Sequence, residues 1–353
     1  MMNSLQKGQK AVAIWIYIGV GMLLIQVVLG GITRLTGSGL SITEWKVVEG
    51  VLPPMSEQAW AAAFAKYKQT PQFLLLNSDF NLGNYKFIYF WEWFHREWAR
   101  LISLVFLLGF AWLLTKKYLQ ASMIKPLLIL FLLGGIQGAI GWIMVKSGLT
   151  DDMVYVKPLK LALHFVFALG LICYAWWFAL QLSVPKDQFV KNKPVRNYTW
   201  LILCVLFFQL IYGALMAGHK AATAAPTWPA INGHWLPEHL FAPAVKVVEN
   251  KITVHFIHRG LAYLLLLLSL AWTYRANKLL AKTRAFQKTK CLPLAFIVLQ
   301  VLLGILAVLN SPQIVPNHWG LFDWLAQLHQ IVAMLYLLTM VWMLYIVRAS
   351  KQA

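Results

Sequence analysis

Eight apolar stretches, each long enough to cross ~30 Å of hydrocarbon, follow one another along this chain of 353 residues. They lie near residues 11–31, 87–114, 126–146, 159–182, 198–218, 252–274, 292–309 and 324–347. In lipid every backbone N–H and C=O needs a partner within the protein, and a single run of about 20 residues meets that need only as a helix. With 60% hydrophobic and 12% charged residues the chain is not an ordinary soluble domain. The sequence therefore predicts an all-α integral membrane protein with eight transmembrane helices.

The net charge of +19 could suggest a nucleic-acid binder, but lysines and arginines crowd alternate loops. Lys7 and Lys10; Lys116, Lys117 and Lys125; Lys186, Lys191, Lys193 and Arg196; Arg275, Lys278, Lys282, Arg284, Lys288 and Lys290; and Arg348 and Lys351 make up 17 of the 31 basic residues. That is the positive-inside pattern, so membrane lipid rather than nucleic acid is the expected surrounding, with both termini cytoplasmic. The first apolar run flows into Gly30-Gly31-Ile32-Thr33-Arg34 without a small-residue cleavage site, which favours an uncleaved span. No Arg- and Ser-rich segment precedes it, so a bacterial inner membrane is expected. Cys173, Cys204 and Cys291 lie in or at the edge of spans, so neither a disulfide nor a cysteine metal site is expected.

Histidine is costly in hydrocarbon, yet His95, His164, His258 and His329 each sit a few residues inside the outer end of a different span. The remaining spans carry Gln-x-x-x-Gly: Gln26 to Gly30, Gln137 to Gly141, Gln209 to Gly213 and Gln300 to Gly304. The interval from His95 to His258 is 163 residues, as is that from Gln137 to Gln300; His164 to His329 is 165. Gln26 to Gln209 is longer, 183, because the first outer loop has extra residues. This spacing predicts two tandem four-helix bundles related by a pseudo-two-fold axis, over 1–185 and 186–353. An even number of spans per half keeps both in the same orientation. The glycines and glutamines read as close-packing and interhelical hydrogen-bonding residues.

Neutral imidazole is a good axial ligand for haem iron, and two facing imidazoles would clamp one haem. The four histidines thus predict two haem sites near the outer face; the duplication pairs His95 with His164 and His258 with His329, and pairing across the halves is geometrically open as well. Glu92 precedes His95 by three and shares its helix face; His255 holds that place before His258. A carboxylate beside the metal can move protons, so the front half is expected to do chemistry and the back half to hold or pass electrons. Arg96 and Arg259 follow the histidines and suit haem propionates, with snorkelling to the interface as the rival role. His219, His234, His239, His255 and His318 are expected to be structural or surface residues. Trp91, Trp93, Trp98, Trp228 and Trp319 fall where an aromatic belt belongs. In the outer loop 32–86, Ser56 is placed to cap a short helix from Glu57 to Lys66.

The run Gly30-Gly31-Ile32-Thr33-Arg34-Leu35-Thr36-Gly37-Ser38-Gly39-Leu40-Ser41-Ile42, followed by Trp45-Lys46, resembles the first-span signature of haem A synthases. Glu92-x-x-His95-Arg96 is similar to that family too, as are Asn250 ahead of His258-Arg259-Gly260-Leu261-Ala262-Tyr263, and His329-Gln330. The resemblance spans nearly the whole chain. It implies oxidation of a ring methyl of haem O to the formyl group of haem A, for terminal cytochrome oxidases, with water as the oxygen source. It further implies substrate haem on His95 and His164, with Glu92 catalytic, and a permanent haem B on His258 and His329. Some members have a cysteine pair in the first outer loop; this chain resembles the branch without it, found in mitochondria and many Gram-negative bacteria.

Implied partners are the haem O synthase, the oxidase assembly machinery and an electron acceptor that the sequence does not identify; a homo-oligomer is left open. Two other readings stand beside this one, a dihaem b-type cytochrome exchanging electrons with quinol and a haem carrier for oxidase assembly. A cytochrome moving electrons across the bilayer needs haems at both faces, and a carrier needs no acid in one half only.

Overall fold

The computed structural model describes residues 4–44, 49–150, 153–238, 240, 247–280 and 283–348. Trp45, Lys46, His239, Lys282 and Lys351 lie outside them. The helices are α1 (Ser4–Leu35), α2 (Glu57–Tyr67), α3 (Pro71–Leu76), α4 (Leu82–Thr115), α5 (Ala121–Lys146) and α6 (Pro158–Ser183). They continue as α7 (Lys193–Gly218), α8 (Lys251–Asn277), α9 (Arg284–Thr289), α10 (Leu292–Asn310) and α11 (Leu321–Ile346). Eight of these elements are long and apolar enough to span a membrane.

Most spans outrun their apolar stretches because polar residues cap them in the interface. Asn81 and Asn84 exchange side-chain and backbone hydrogen bonds at the start of α4 (3.0 and 3.2 Å). Asn192 Oδ1 accepts from Val195 N–H at α7, and Asn250 Oδ1 from Ile252 and Thr253 N–H at α8. The expected start of α5 at Pro126 is five residues late, and the proline lies inside the helix. Ser56 caps α2 as expected, accepting from Ala59 N–H at 3.1 Å.

α1, α6, α7 and α11 form the centre, with α4 laid on α1, α5 on α6, α8 on α7 and α10 on α11. One apolar core runs through them, including Ile172, Ile202, Trp272 and Met340. Polar groups inside it are paired across helices: Trp272 donates to Thr199 Oγ1 at 2.8 Å, and Ser269 and Tyr336 share a 2.6 Å hydrogen bond. In the back half α8 and α10 pack on one another. Their front-half counterparts, α4 and α5, make no comparable seam, though Phe106 and Phe131 stack at 6.3 Å. The sequence supplies a reason. Gly134, Gly135 and Gly138 of α5 have nothing within 4 Å of where a Cβ would stand, whereas 163 residues later α10 carries Ile297, Val298 and Val301.

The basic segments gather at one face. Gln9 donates to the Leu182 carbonyl, Ala285 N–H to Gln188 Oε1, and Gly8 lies against Tyr118. A two-residue parallel ladder joins β1 (Val190–Lys191) to β2 (Val347–Arg348), and the Arg348 guanidinium stacks on Phe189 and Tyr345. At the opposite face α2 and α3 build a small aromatic core of Phe64, Tyr67, Phe73, Phe80 and Tyr85 over the outer end of α4.

Candidate functional site

Each of the four histidines rests on the glycine of a Gln-x-x-x-Gly segment in the preceding span. A Cβ on Gly30 would stand 3.1 Å from His95 Cε1, and one on Gly141 would stand 2.8 Å from His164 Cε1. The corresponding figures are 3.3 Å for Gly213 and His258 and 3.0 Å for Gly304 and His329. All are inside ordinary van der Waals contact, so only glycine leaves room for the ring.

The glutamine one turn earlier reaches the same histidine. Gln26 Nε2 lies 3.3 and 3.2 Å from the two ring nitrogens of His95 and donates to its carbonyl at 3.1 Å. Gln137 repeats this at His164, with 3.2 and 3.4 Å to the ring and 3.2 Å to the carbonyl. In the back half His329 Nδ1 donates to the Gln300 carbonyl at 3.0 Å while the Gln300 amide approaches Nε2 at 3.1 Å. That carbonyl places the ring proton on Nδ1, so the lone pair is on Nε2, where it accepts from the Gln300 amide that a metal would displace. His258 lies against the Gln209 backbone, but its Nδ1 makes no hydrogen bond.

The ring centroids of His258 and His329 are 6.3 Å apart with planes at 68°. Two imidazoles bonded to one metal from opposite sides at about 2 Å have centroids roughly 6 Å apart, so the pair has room for one metal between them. His95 and His164 are likewise within electrostatic reach of each other. All four are only partly buried, which leaves each ring an approachable edge. Among the described residues no three His, Cys, Asp or Glu side chains converge as a protein-only metal site. Two imidazoles are the donor set that a macrocycle-held iron asks for, so these residues fit haem. Side-chain carbonyls of Gln26, Gln137, Gln209 and Gln300 are buried without partners around them.

Glu92, on the α4 turn before His95, is buried, with 3% of its surface exposed. Its Oε2 accepts from Ser41 Oγ and from Ile42 N–H, both at 2.8 Å, and its Oε1 from the Arg96 guanidinium. The partners from residues 41–42 were not foreseen, although they belong to the same signature run. Arg259 does something else: it donates to the carbonyls of Ala225, Thr227, Pro229 and Ala230, tying down the loop between α7 and α8. His255, the counterpart of Glu92, is fully buried and neither ring nitrogen has a partner. His219 Nε2 donates to the Val248 carbonyl at 2.8 Å, and the His234 backbone forms a bridge with Ile231.

Of the belt tryptophans, Trp93, Trp98 and Trp228 donate to Val51 O, Met22 O and Tyr263 Oη, while Trp91 and Trp319 keep buried, unpaired N–H groups. Gln327 and Gln330 of α11 flank His329 and donate to the Val28 and Val27 carbonyls of α1, at 3.1 and 2.8 Å. They meet α1 at Gly31, next to the glycine that seats His95. The three cysteines are free thiols.

Comparison with known proteins agrees with this arrangement. Residues 13–341 match the family described as COX15-CtaA, cytochrome oxidase assembly protein. The chain is similar to the heme A synthase of Flavobacterium johnsoniae, 38% identical over 98% of this chain and 100% of that one. It is 40% identical to the heme A synthase of Beijerinckia indica, over 94% and 91% of the two chains. It is 37% identical to that of Paracoccus denitrificans, over 88% and 84%. A match of this extent, on a chain of eight membrane helices with four seated histidines, means that the protein belongs to the COX15-CtaA family.

Proposed function

We propose that this protein is a haem A synthase that oxidises a ring methyl of haem O to a formyl group in the front half, residues 1–185, and keeps a haem B in the back half, 186–353. The observation that carries the reading is the pairing of partly buried imidazoles on glycine seats at one face, with a buried acid beside only one pair.

When bound, the back-half haem supplies an iron centre able to change redox state. His258 and His329 would hold it, with the Gln300 carbonyl orienting the His329 ring. His95 and His164 hold the substrate haem, each ring fixed by Gly30 or Gly141 behind it. Glu92 lies one turn from His95 on the same face. Its Oε2 is taken up by Ser41 and Ile42, so a proton exchanged by this acid goes on Oε1, at the expense of the Arg96 contact. Arg96 thereby balances the carboxylate in a site where an unpaired charge would be costly.

The unequal closure of the halves supports this division. α8 and α10 close around the permanent site, while α4 and α5 leave the front half unseamed, as an exchangeable substrate requires. The gathered basic segments support a bacterial inner membrane with both termini cytoplasmic and the histidines toward the outside. The four electrons removed from the methyl carbon go to an acceptor outside the chain and four protons are released, with water supplying the new oxygen (R–CH3 + H2O → R–CHO + 4 H+ + 4 e−). Haem O synthase and the oxidase assembly machinery are the partners upstream and downstream.

The test is expression in a bacterial host that makes haem O but not haem A, followed by purification and chromatography of the extracted haems. Haem A together with retained haem B supports the proposal. Haem B alone in both sites would make the protein a b-type cytochrome, and unchanged haem O a carrier.

A further inference from the structure

We infer that the four Gln-x-x-x-Gly segments are cradles that set the rotation of the axial imidazoles, with the glycines as positioning residues for the metal ligands. The inference rests on the haem reading above and deepens it. In imidazole the Cε1 carbon lies between the two nitrogens. Seating Cε1 on a glycine therefore fixes where both nitrogens point. At His329 the seat is Gly304, and the Gln300 carbonyl one turn earlier takes the Nδ1 proton. The ring is held at these two points, and Nε2, the nitrogen that an iron would take, faces only the Gln300 side-chain amide at 3.1 Å, which would give way to it.

Close helix packing alone does not account for these glycines. Gly19, Gly21, Gly138 and Gly170 also lie in spans, and none has a neighbour within 4 Å of a built Cβ. Gly8, Gly31, Gly109 and Gly218 meet packing neighbours (Tyr118, Gln327 with Gln330, Trp15 and Pro158), whereas the glycine of each Gln-x-x-x-Gly segment meets a histidine Cε1, in four different helix pairs, namely α1/α4, α5/α6, α7/α8 and α10/α11. The contact is made by the ligand ring itself, so a methyl group there must rotate or displace it.

The experiment uses the full-length purified protein with its haem, comparing Gly304→Ala, Gly213→Ala and Gly170→Ala. Bound haem per protein and the ferric low-spin electron paramagnetic resonance spectrum, which reads the mutual orientation of axial imidazole planes, are measured alongside helicity and monodispersity in detergent. Gly304→Ala is expected to shift the largest g value and weaken haem binding by about 10- to 100-fold, the range for lost outer-shell support. Gly213→Ala, with the looser contact of 3.3 Å against 3.0 Å, should shift in the same way but less, and it serves if Gly304→Ala does not fold. Gly170→Ala should match the unmodified protein. Folded Gly304→Ala or Gly213→Ala protein with unchanged spectrum and haem content overturns the cradle, as does an equal shift in Gly170→Ala. Unmodified protein that binds no haem in the back half overturns instead the reading on which the cradle rests.

Discussion

Ser41 donates its hydroxyl to Glu92 Oε2 over 2.8 Å, fixing the loop after α1 to the acid one turn before His95. The loop is itself held from outside. Gln72 donates to the Gly37 carbonyl at 3.2 Å and to the Val154 carbonyl at 3.3 Å, and its own side-chain oxygen accepts from Tyr67. Asn77 donates to that tyrosine in turn, and burial pushes the Tyr67 phenol up to about 12, so it remains a donor through the neutral range. A line of support therefore runs from the aromatic outer-loop core through residues 37–42 to Glu92.

Removing the first link of that line should act on the front half alone. Ser41→Ala leaves a buried carboxylate oxygen short of one donor, a local cost of about 1–3 kcal/mol. Haem A yield is expected to fall severalfold while haem B stays bound, and Ser41→Thr, which keeps the hydroxyl, should restore it. Equal haem A yields from Ser41→Ala and unmodified protein would detach the loop from the chemistry.

The seam between α1 and α11 should couple the halves. A side chain on Gly31 would collide with Gln327 and Gln330, whose amides hold α1 carbonyls beside the two sites. Overpacking of this kind costs about 1–3 kcal/mol. Gly31→Ala is expected to lower the thermal midpoint in detergent and to reduce haem retention in both halves. Gly19→Ala on the same helix, where nothing lies within 4 Å, should do neither. Loss confined to one half would show that the seam is only local packing.

The helices were legible because hydrocarbon leaves a chain few choices, and a long apolar run can satisfy its backbone only as a helix. The four histidines stood out for the same reason, since a polar ring at that depth needs a purpose. What escaped was what surrounds them. Gln-x-x-x-Gly was readable as a repeat, but its glycine could be assigned to the neighbouring ring only once α1 was placed against α4 and α10 against α11. Glu92 was singled out by its spacing from His95, while its partners Ser41 and Ile42 are some 50 residues away and meet it only through the outer-loop fold. Arg259 follows a histidine as Arg96 does, yet one ties down a loop and the other pairs with an acid, because only the front half has a glutamate at that position.

Loss of individual ligands should separate the two sites. On the proposed assignment, His258→Ala or His329→Ala would take away one of the two imidazoles holding the back-half haem, and the remaining one cannot replace it. These variants are expected to lose haem B, read from the reduced absorption spectrum. His95→Ala and His164→Ala should keep that spectrum and yield no haem A. Loss of haem B from the His95 variant with retention in the His258 variant would exchange the roles of the halves.

Glu92→Gln tests whether the acid works through its proton or only through its contacts. Glutamine has nearly the same shape, and its carbonyl oxygen can still accept from Ser41 and Ile42 at the position of Oε2. Its amide would then take the place of Oε1, against the Arg96 guanidinium, so both the ion pair and the site for a proton are lost. The back half contains His255 at this position and no acid, so its haem should be untouched. The expected product pattern is haem B retained, with haem O or a partly oxidised alcohol accumulating in place of haem A, at a loss of about 10²-fold or more for removal of a proton-transfer group. Glu92→Ala with Arg96→Ala removes the ion pair without leaving an unpaired guanidinium. If that double variant regains the haem A yield lost in Glu92→Gln, Glu92 serves only to neutralise Arg96; if it stays inactive while folded and loaded with haem B, the proton on Oε1 is what the reaction needs.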